Sequence, residues 1–171
     1  MYVHRAVPAG HAGLNCSASA SIHPNDTILL NYLFVYGTLR KTQNGNLHPY
    51  LKNHAVFIDR ASLPGKLYQV EHYPGAIPAP LGSQGLIYGE VYRLLQPEAV
   101  LSILDEYEEC ASHFPQPHEY RRAPETVILS NEKRLRAWVY WFCHPVSGLP
   151  QISSGDYFDY LFTTNSTRKS I

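Results

Sequence analysis

With 171 residues, the chain is long enough to enclose one real core and too short to expect a second domain. Charged side chains make up only 16% of it and cancel to a formal net charge of zero, so no field draws it to phosphate backbones or anionic membranes, and nucleic acid is not an expected partner. The three cysteines, Cys16, Cys110 and Cys143, are odd in number and lack a Cys-x-x-Cys pair, which argues against a disulfide framework and a structural zinc site.

Residues 1–31 are rich in Ala, Gly, Ser and Pro without helical or strand periodicity, and are read as a poorly structured extension. They contain no apolar centre of a secretory signal, and no stretch of the chain approaches the ~20 apolar residues that span a bilayer. A reducing cytoplasm is therefore the expected compartment, with no membrane partner. On that reading the Asn-x-Ser/Thr triplets at Asn15, Asn25 and Asn165 are chance.

The folded domain is expected over 32–165, with 166–171 as a tail. Short β-rich runs follow one another from Tyr32: "YLFVYG", "AVFIDRASL", "KLYQV", "GLIYGEVYRL", "ETVILS" and "RLRAWVYWF". Thirteen tyrosines suit strands that are apolar at the ring and hydrogen-bonded at the hydroxyl. Helices are expected weakly at 47–52, strongly at "QPEAVLSILDEYEE", where Pro97 and Glu98 suit a first turn, and as a turn at "GDYFDYLF". "YPGAIP", residues 73–78, reads as a rigid turn. His113 and His118 flank the prolines of "HFPQPH" and read as solvated loop residues rather than metal ligands. This pattern indicates an α+β fold, a small, strongly curved mixed β-barrel with two or three flanking helices.

Residues 104–110, "LDEYEEC", place four carboxylates within five positions. On a helix of about 100° per residue, Ala99, Ile103, Tyr107, Val100, Leu104 and Leu101 fill one apolar arc, and Glu108 falls inside it. Asp105, Glu106 and Glu109 fall outside and read as surface charges. An inward carboxylate is costly unless it is paired, hydrogen-bonded or neutralised. Glu108 therefore either escapes to solvent or pairs with Arg121 or Arg122, or it serves as a proton-transfer group at a pocket floor. The other chemical signal is "FVYGTLR", residues 34–40, where a strand stops at Gly37. Such a turn is either a plain connection or a cradle of backbone N–H groups for a carboxylate or oxyanion.

Taken in order, "FVYGTLR", "GKLYQVEHYPGAIP", "GEVYRL", "LDEYEE", "YRR", "AWVYWF" and "SGDY" resemble the gamma-glutamylcyclotransferase-like family over about residues 33–161. The resemblance implies a barrel with a cavity at one end. Tyr36, Gly37, Thr38 and Leu39 would bind the gamma-glutamyl group through their backbone, Glu108 would be the general acid/base, and Tyr140 would line the cavity. Two departures stand out: many relatives carry glycine where this chain has Glu109, and "CASHFPQPHEY" is longer than usual. The implied reaction is cofactor-free release of 5-oxoproline and an amine or amino acid from a gamma-glutamyl small molecule. The alternative is a non-catalytic module of the same fold that binds a small ligand.

Overall fold

The computed structural model describes residues 30–41, 45–80 and 84–168. Most of the expected extension, with Cys16, Asn15 and Asn25, and the end of the tail lie outside the described residues. Among the described residues there are six strands: β1 (Tyr32–Val35), β2 (Ala55–Val70), β3 (Tyr73–Pro78), β4 (Leu86–Leu94), β5 (Tyr120–Leu129) and β6 (Arg134–Phe142). Two helices accompany them, α1 (Pro97–Tyr107) and α2 (Tyr157–Arg168). Neither is long and apolar enough to cross a membrane.

Strands β2, β4, β1, β6 and β5 are hydrogen-bonded in that order, and pairing of β2 with β5 closes them into a barrel. All neighbours are antiparallel except β1 and β6, where Leu33 lies opposite Trp138. This is the mixed barrel expected from the sequence. Alternation along each strand divides the apolar side chains between two clusters. Leu33, Val35, Tyr92, Leu94 and Trp138 pack with Val100, Leu101 and Leu104 of α1, whereas Phe34, Val91, Val139 and Trp141 pack with Tyr157 of α2.

The strand assignments need three corrections. "AVFIDRASL" and "KLYQV" belong to one strand, β2, which continues through Pro64 and Gly65. Its first part pairs with β4 and its second with β3, so the proline marks a change of partner rather than an end. "YPGAIP" is strand β3, not a turn; it pairs only with β2, and an edge position tolerates prolines that cannot donate to a ladder. β5 begins at Tyr120, five residues before the expected "ETVILS". In place of the helix at 47–52 there is a hydrogen-bonded turn, with the Leu51 and Lys52 N–H groups both donating to the His48 carbonyl.

Helix α1 starts on Pro97 without a side-chain cap and carries Glu98 in its first turn. It stops at Tyr107, one residue before Glu108. The N–H of Glu109 bonds to the Glu106 carbonyl at 3.3 Å and that of Cys110 to the Asp105 carbonyl at 2.9 Å, while Glu109 has φ 51°. These are the two bonds of a Schellman ending, whose left-handed position glycine occupies without cost. Glu109 is therefore the left-handed residue of the helix stop and takes that conformation without glycine's freedom.

Candidate active site

A cavity of about 480 Å³ opens where β1 ends. The loop at 36–39, Tyr73 and Pro74 of β3, Glu108, Glu119, Tyr120 and Tyr140 all border it. Every residue singled out in the sequence thus meets in one place: Tyr36, Gly37, Thr38, Leu39, Glu108 and Tyr140. Its volume lies in the ordinary range for small-molecule sites.

The loop is shaped by contact rather than by unusual dihedrals. Gly37 is not among the residues with positive φ, so the expected conformational licence is not the reason for glycine here. A Cβ at this position would lie 2.7 Å from Cγ of Pro74, closer than real side chains approach. Among the described residues, none accepts from the N–H groups of Thr38 and Leu39. The Arg40 N–H closes the turn on the Gly37 carbonyl at 3.1 Å. Beyond it, the Arg40 guanidinium reaches Asp156 at 2.8 Å, and the Lys41 N–H and Tyr92 hydroxyl both donate to Glu90. These bonds anchor the loop's exit to β4 and the start of α2. Gly37→Ala is expected to displace Pro74 and the loop together and to lower any ligand-dependent activity at least ~10-fold; unchanged activity and melting would show that the ring of Pro74 yields freely.

Glu108 sits just past the last turn of α1, beyond buried Leu101 and Leu104. The residue as a whole is half-buried, but its carboxyl is enclosed by protein. Among the described residues, none donates a hydrogen bond to it. Burial, with the nearby Glu119 carboxylate, pushes its pKa up to about 8. Neither arginine offered as a partner in the sequence takes that role.

Arg122 pairs instead with Asp105, whose placement as a surface charge is corrected here. Arg122 donates to Asp105 from Nε at 2.8 Å and from its terminal nitrogen at 2.9 Å, while the Tyr140 hydroxyl donates to the same carboxylate at 2.8 Å. The guanidinium lies 4.6 Å from the centre of the Trp138 ring. This cluster fixes the end of α1 to β5 and β6. Glu109, also placed at the surface, is exposed but borders the cavity, whereas Glu106 is an exposed residue facing His113.

Tyr36, Tyr73, Tyr120 and Tyr140, around the cavity, have their hydroxyls engaged. Tyr36 donates to the Tyr140 carbonyl at 2.6 Å and Tyr120 to the Pro74 carbonyl at 3.0 Å. Burial raises the pKa of each, and that of Tyr140, well above the ordinary phenol value. They therefore remain neutral. Burial, aided by Asp105, also pushes the Cys110 thiol up to about 12, which removes it as a nucleophile at neutral pH.

Glu119 was missed in the sequence. It directly precedes "YRR", inside the long segment 110–120, and the Tyr73 hydroxyl donates to its Oε1. The only available signal was a carboxylate adjoining a recognised motif. Among the described residues, no group of His, Cys, Asp and Glu side chains converges to hold a metal ion.

Comparison with known proteins gives a consistent result. Residues 33–159 match the family described as "Gamma-glutamyl cyclotransferase, AIG2-like". The chain is 35% identical over 127 residues to the gamma-glutamylcyclotransferase family protein YtfP of Escherichia coli, covering 74% of this chain and 96% of that protein. The solution structure of E. coli ytfP superposes with a TM-score of 0.52 at 32% identity, covering 75% and 97% of the two chains. The crystal structure of an AIG2-like protein of Mus musculus superposes with a TM-score of 0.56 at 25% identity, covering 75% and 88%.

Proposed function

The chain belongs to the gamma-glutamyl cyclotransferase, AIG2-like family, and from that premise we propose that it releases 5-oxoproline and a free amine or amino acid from a gamma-glutamyl compound. The observation that carries this reading is the enclosed Glu108 carboxyl, unpaired among the described residues, on the same cavity as the Gly37 turn.

The reaction is a ring closure within the substrate. The α-ammonium first gives a proton to Glu108, and the resulting amine attacks the γ-carbonyl carbon, forming the ring C–N bond and moving the carbonyl electrons onto oxygen. The proton then passes from Glu108 to the departing nitrogen as the oxyanion re-forms the carbonyl and the original amide C–N bond breaks; the ring nitrogen gives up its second proton by way of the freed Glu108 carboxylate, so that the amine leaves as an ammonium and 5-oxoproline as a neutral lactam. A base with a pKa near that of an α-amine exchanges the proton in both directions with little penalty. Holding the glutamyl chain curled supplies much of the acceleration, because nucleophile and electrophile then meet at high effective concentration. The loop at 36–39 performs the holding through its N–H groups and stabilises negative charge near the carbonyl, an effect often worth ~3 kcal/mol per donor.

The test is to incubate the protein with a panel of gamma-glutamyl compounds and detect 5-oxoproline by mass spectrometry. Glu106→Gln is the control, expected to leave turnover unaltered because Glu106 faces solvent. A matching loss there would mean that the wrong carboxylate has been assigned. Saturable binding of these compounds without product would favour the ligand-binding module instead.

A further inference from the structure

Three consecutive residues of the "SGDY" stretch, Gly155, Asp156 and Tyr157, have no part in the reaction as written so far. None of them borders the cavity, yet each is tied to a different element around it. Gly155 has φ 70°, and a Cβ there would lie 1.9 Å from the Leu86 carbonyl oxygen, so only glycine lets the chain pass this close to β4. Its own carbonyl accepts from the Tyr88 N–H at 2.9 Å. The segment is thereby fixed to the barrel before α2 begins.

Asp156 then works in two directions. Its Oδ1 accepts from the Phe158 N–H at 2.9 Å, capping α2, and from the Arg40 guanidinium at 2.8 Å. Arg40 directly follows the loop at 36–39 and is buried, with its guanidinium 4.7 Å from the centre of the Phe158 ring and its Nε 3.8 Å from Oε1 of Glu90. Tyr157 is also buried, and its hydroxyl donates to the His72 carbonyl at 2.8 Å. His72 and Tyr73 form the cavity wall at the turn from β2 to β3. That wall meets the loop where Pro74 lies against Gly37. Two adjacent side chains thus reach, from behind, both walls that join at the Gly37 turn.

We propose that Asp156 and Tyr157 are positioning residues of the site. Through Arg40 and His72 they set the spacing between the loop and the β2–β3 turn, and with it the seat of the substrate's α-carboxylate. What occupies that seat rests on the cyclotransferase reading; the ties themselves do not. A residue that only capped α2 would alter stability and the folded fraction, whereas one that places the loop alters KM.

Asp156→Ser and Tyr157→Phe, made in the full chain, test this. Serine caps a helix as well as aspartate does but is too short to hold Arg40, and phenylalanine keeps the buried ring without its hydroxyl. Amide hydrogen exchange should quicken ~10-fold at 36–41 in Asp156→Ser and at 71–73 in Tyr157→Phe, with α2 unaffected in both. With a gamma-glutamyl compound that the parent turns over, Asp156→Ser should raise KM ~5-fold to 10-fold and change kcat less, because the loop holds the head group before as well as during ring closure. Asp156→Asn keeps both the cap and an acceptor for Arg40, and should recover most of the lost KM. Asp159→Asn, exposed in the same turn of α2, should change neither measurement.

Unchanged exchange at 36–41 in Asp156→Ser, or at 71–73 in Tyr157→Phe, overturns the tie to that wall. Faster exchange with an unaltered KM, or a raised KM that Asp156→Asn does not recover, overturns the positioning role and leaves the cyclotransferase reading intact. A parent protein that releases no 5-oxoproline from any gamma-glutamyl compound overturns that reading, and the exchange pattern alone then decides whether the two residues hold the walls. Should Asp156→Ser fail to fold, Arg40→Met removes the same contact without touching the cap and takes its place.

Discussion

Glu108→Gln is expected to keep the fold and lower 5-oxoproline release by ~10³-fold, within the usual contribution of a positioned acid/base. The amide preserves the shape at the end of α1 and removes the proton acceptor. In the parent, kcat/KM should rise with pH along a limb near 8, because the acceptor form of Glu108 fills as its proton leaves. The substrate amine titrates in the same region, so Glu119→Gln separates the two: it removes one cause of the raised pKa and should move the limb to lower pH. A limb that stays in place assigns it to the substrate.

The same carboxyl has a stability signature. A folded-state pKa of about 8, raised above the ordinary 4.5, means that the folded chain holds a proton the unfolded chain has released between those values. Stability therefore falls as pH rises through that window, and the full cost, at most a few kcal/mol, is present above pH 8. Glu108→Gln should melt higher than the parent at pH 9 and close to it at pH 4. Equal melting curves at both would place the carboxyl in open solvent.

Asp105→Ala is the other change with a large expected effect. It leaves Arg122 without its bidentate partner and the Tyr140 hydroxyl without an acceptor. Breaking a buried pair by removing one side costs about 3–5 kcal/mol. The Arg122 and Asp105 side chains keep 26% and 20% of their surface exposed, so screening brings the expectation down to about 2–3 kcal/mol. Turnover should drop at least ~10-fold as well, because the end of α1 that presents Glu108 loses its tie to β5 and β6. Melting and turnover both at parent level would show that the cluster does not position the site.

The helical wheel located Glu108 because burial on one side of a helix follows from spacing alone. The buried side chains of α1 are Val100, Leu101 and Leu104, whereas Ile103 is 48% exposed, so the true buried arc lies nearer Glu108 than the apolar arc suggested. Asp105 was misplaced by the same method, since a wheel contains nothing of what stands beside the helix. Arg122 and Tyr140 approach it from strands more than a dozen residues away in sequence. Strand β3 was obscured for a different reason: Pro74, Gly75 and Pro78 are turn formers, and only the knowledge that the strand lies at an edge makes them compatible with a ladder. Glu119 depends on how segment 110–120 is folded back against β3, which local sequence does not encode.

The pairing that closes the barrel is brief: Ala61 opposite Leu129 and Ser62 opposite Ile128, with Asp59 accepting from Ser130 nearby. β4, by contrast, follows β2 from Ala55 to Pro64. The seam lies at the far end of β5 from Tyr120, some eight residues or about 27 Å along an extended strand. Thermal fluctuations that part the sheet have their easiest starting point there, remote from the cavity, so the molecule can breathe at one rim while the other keeps its shape.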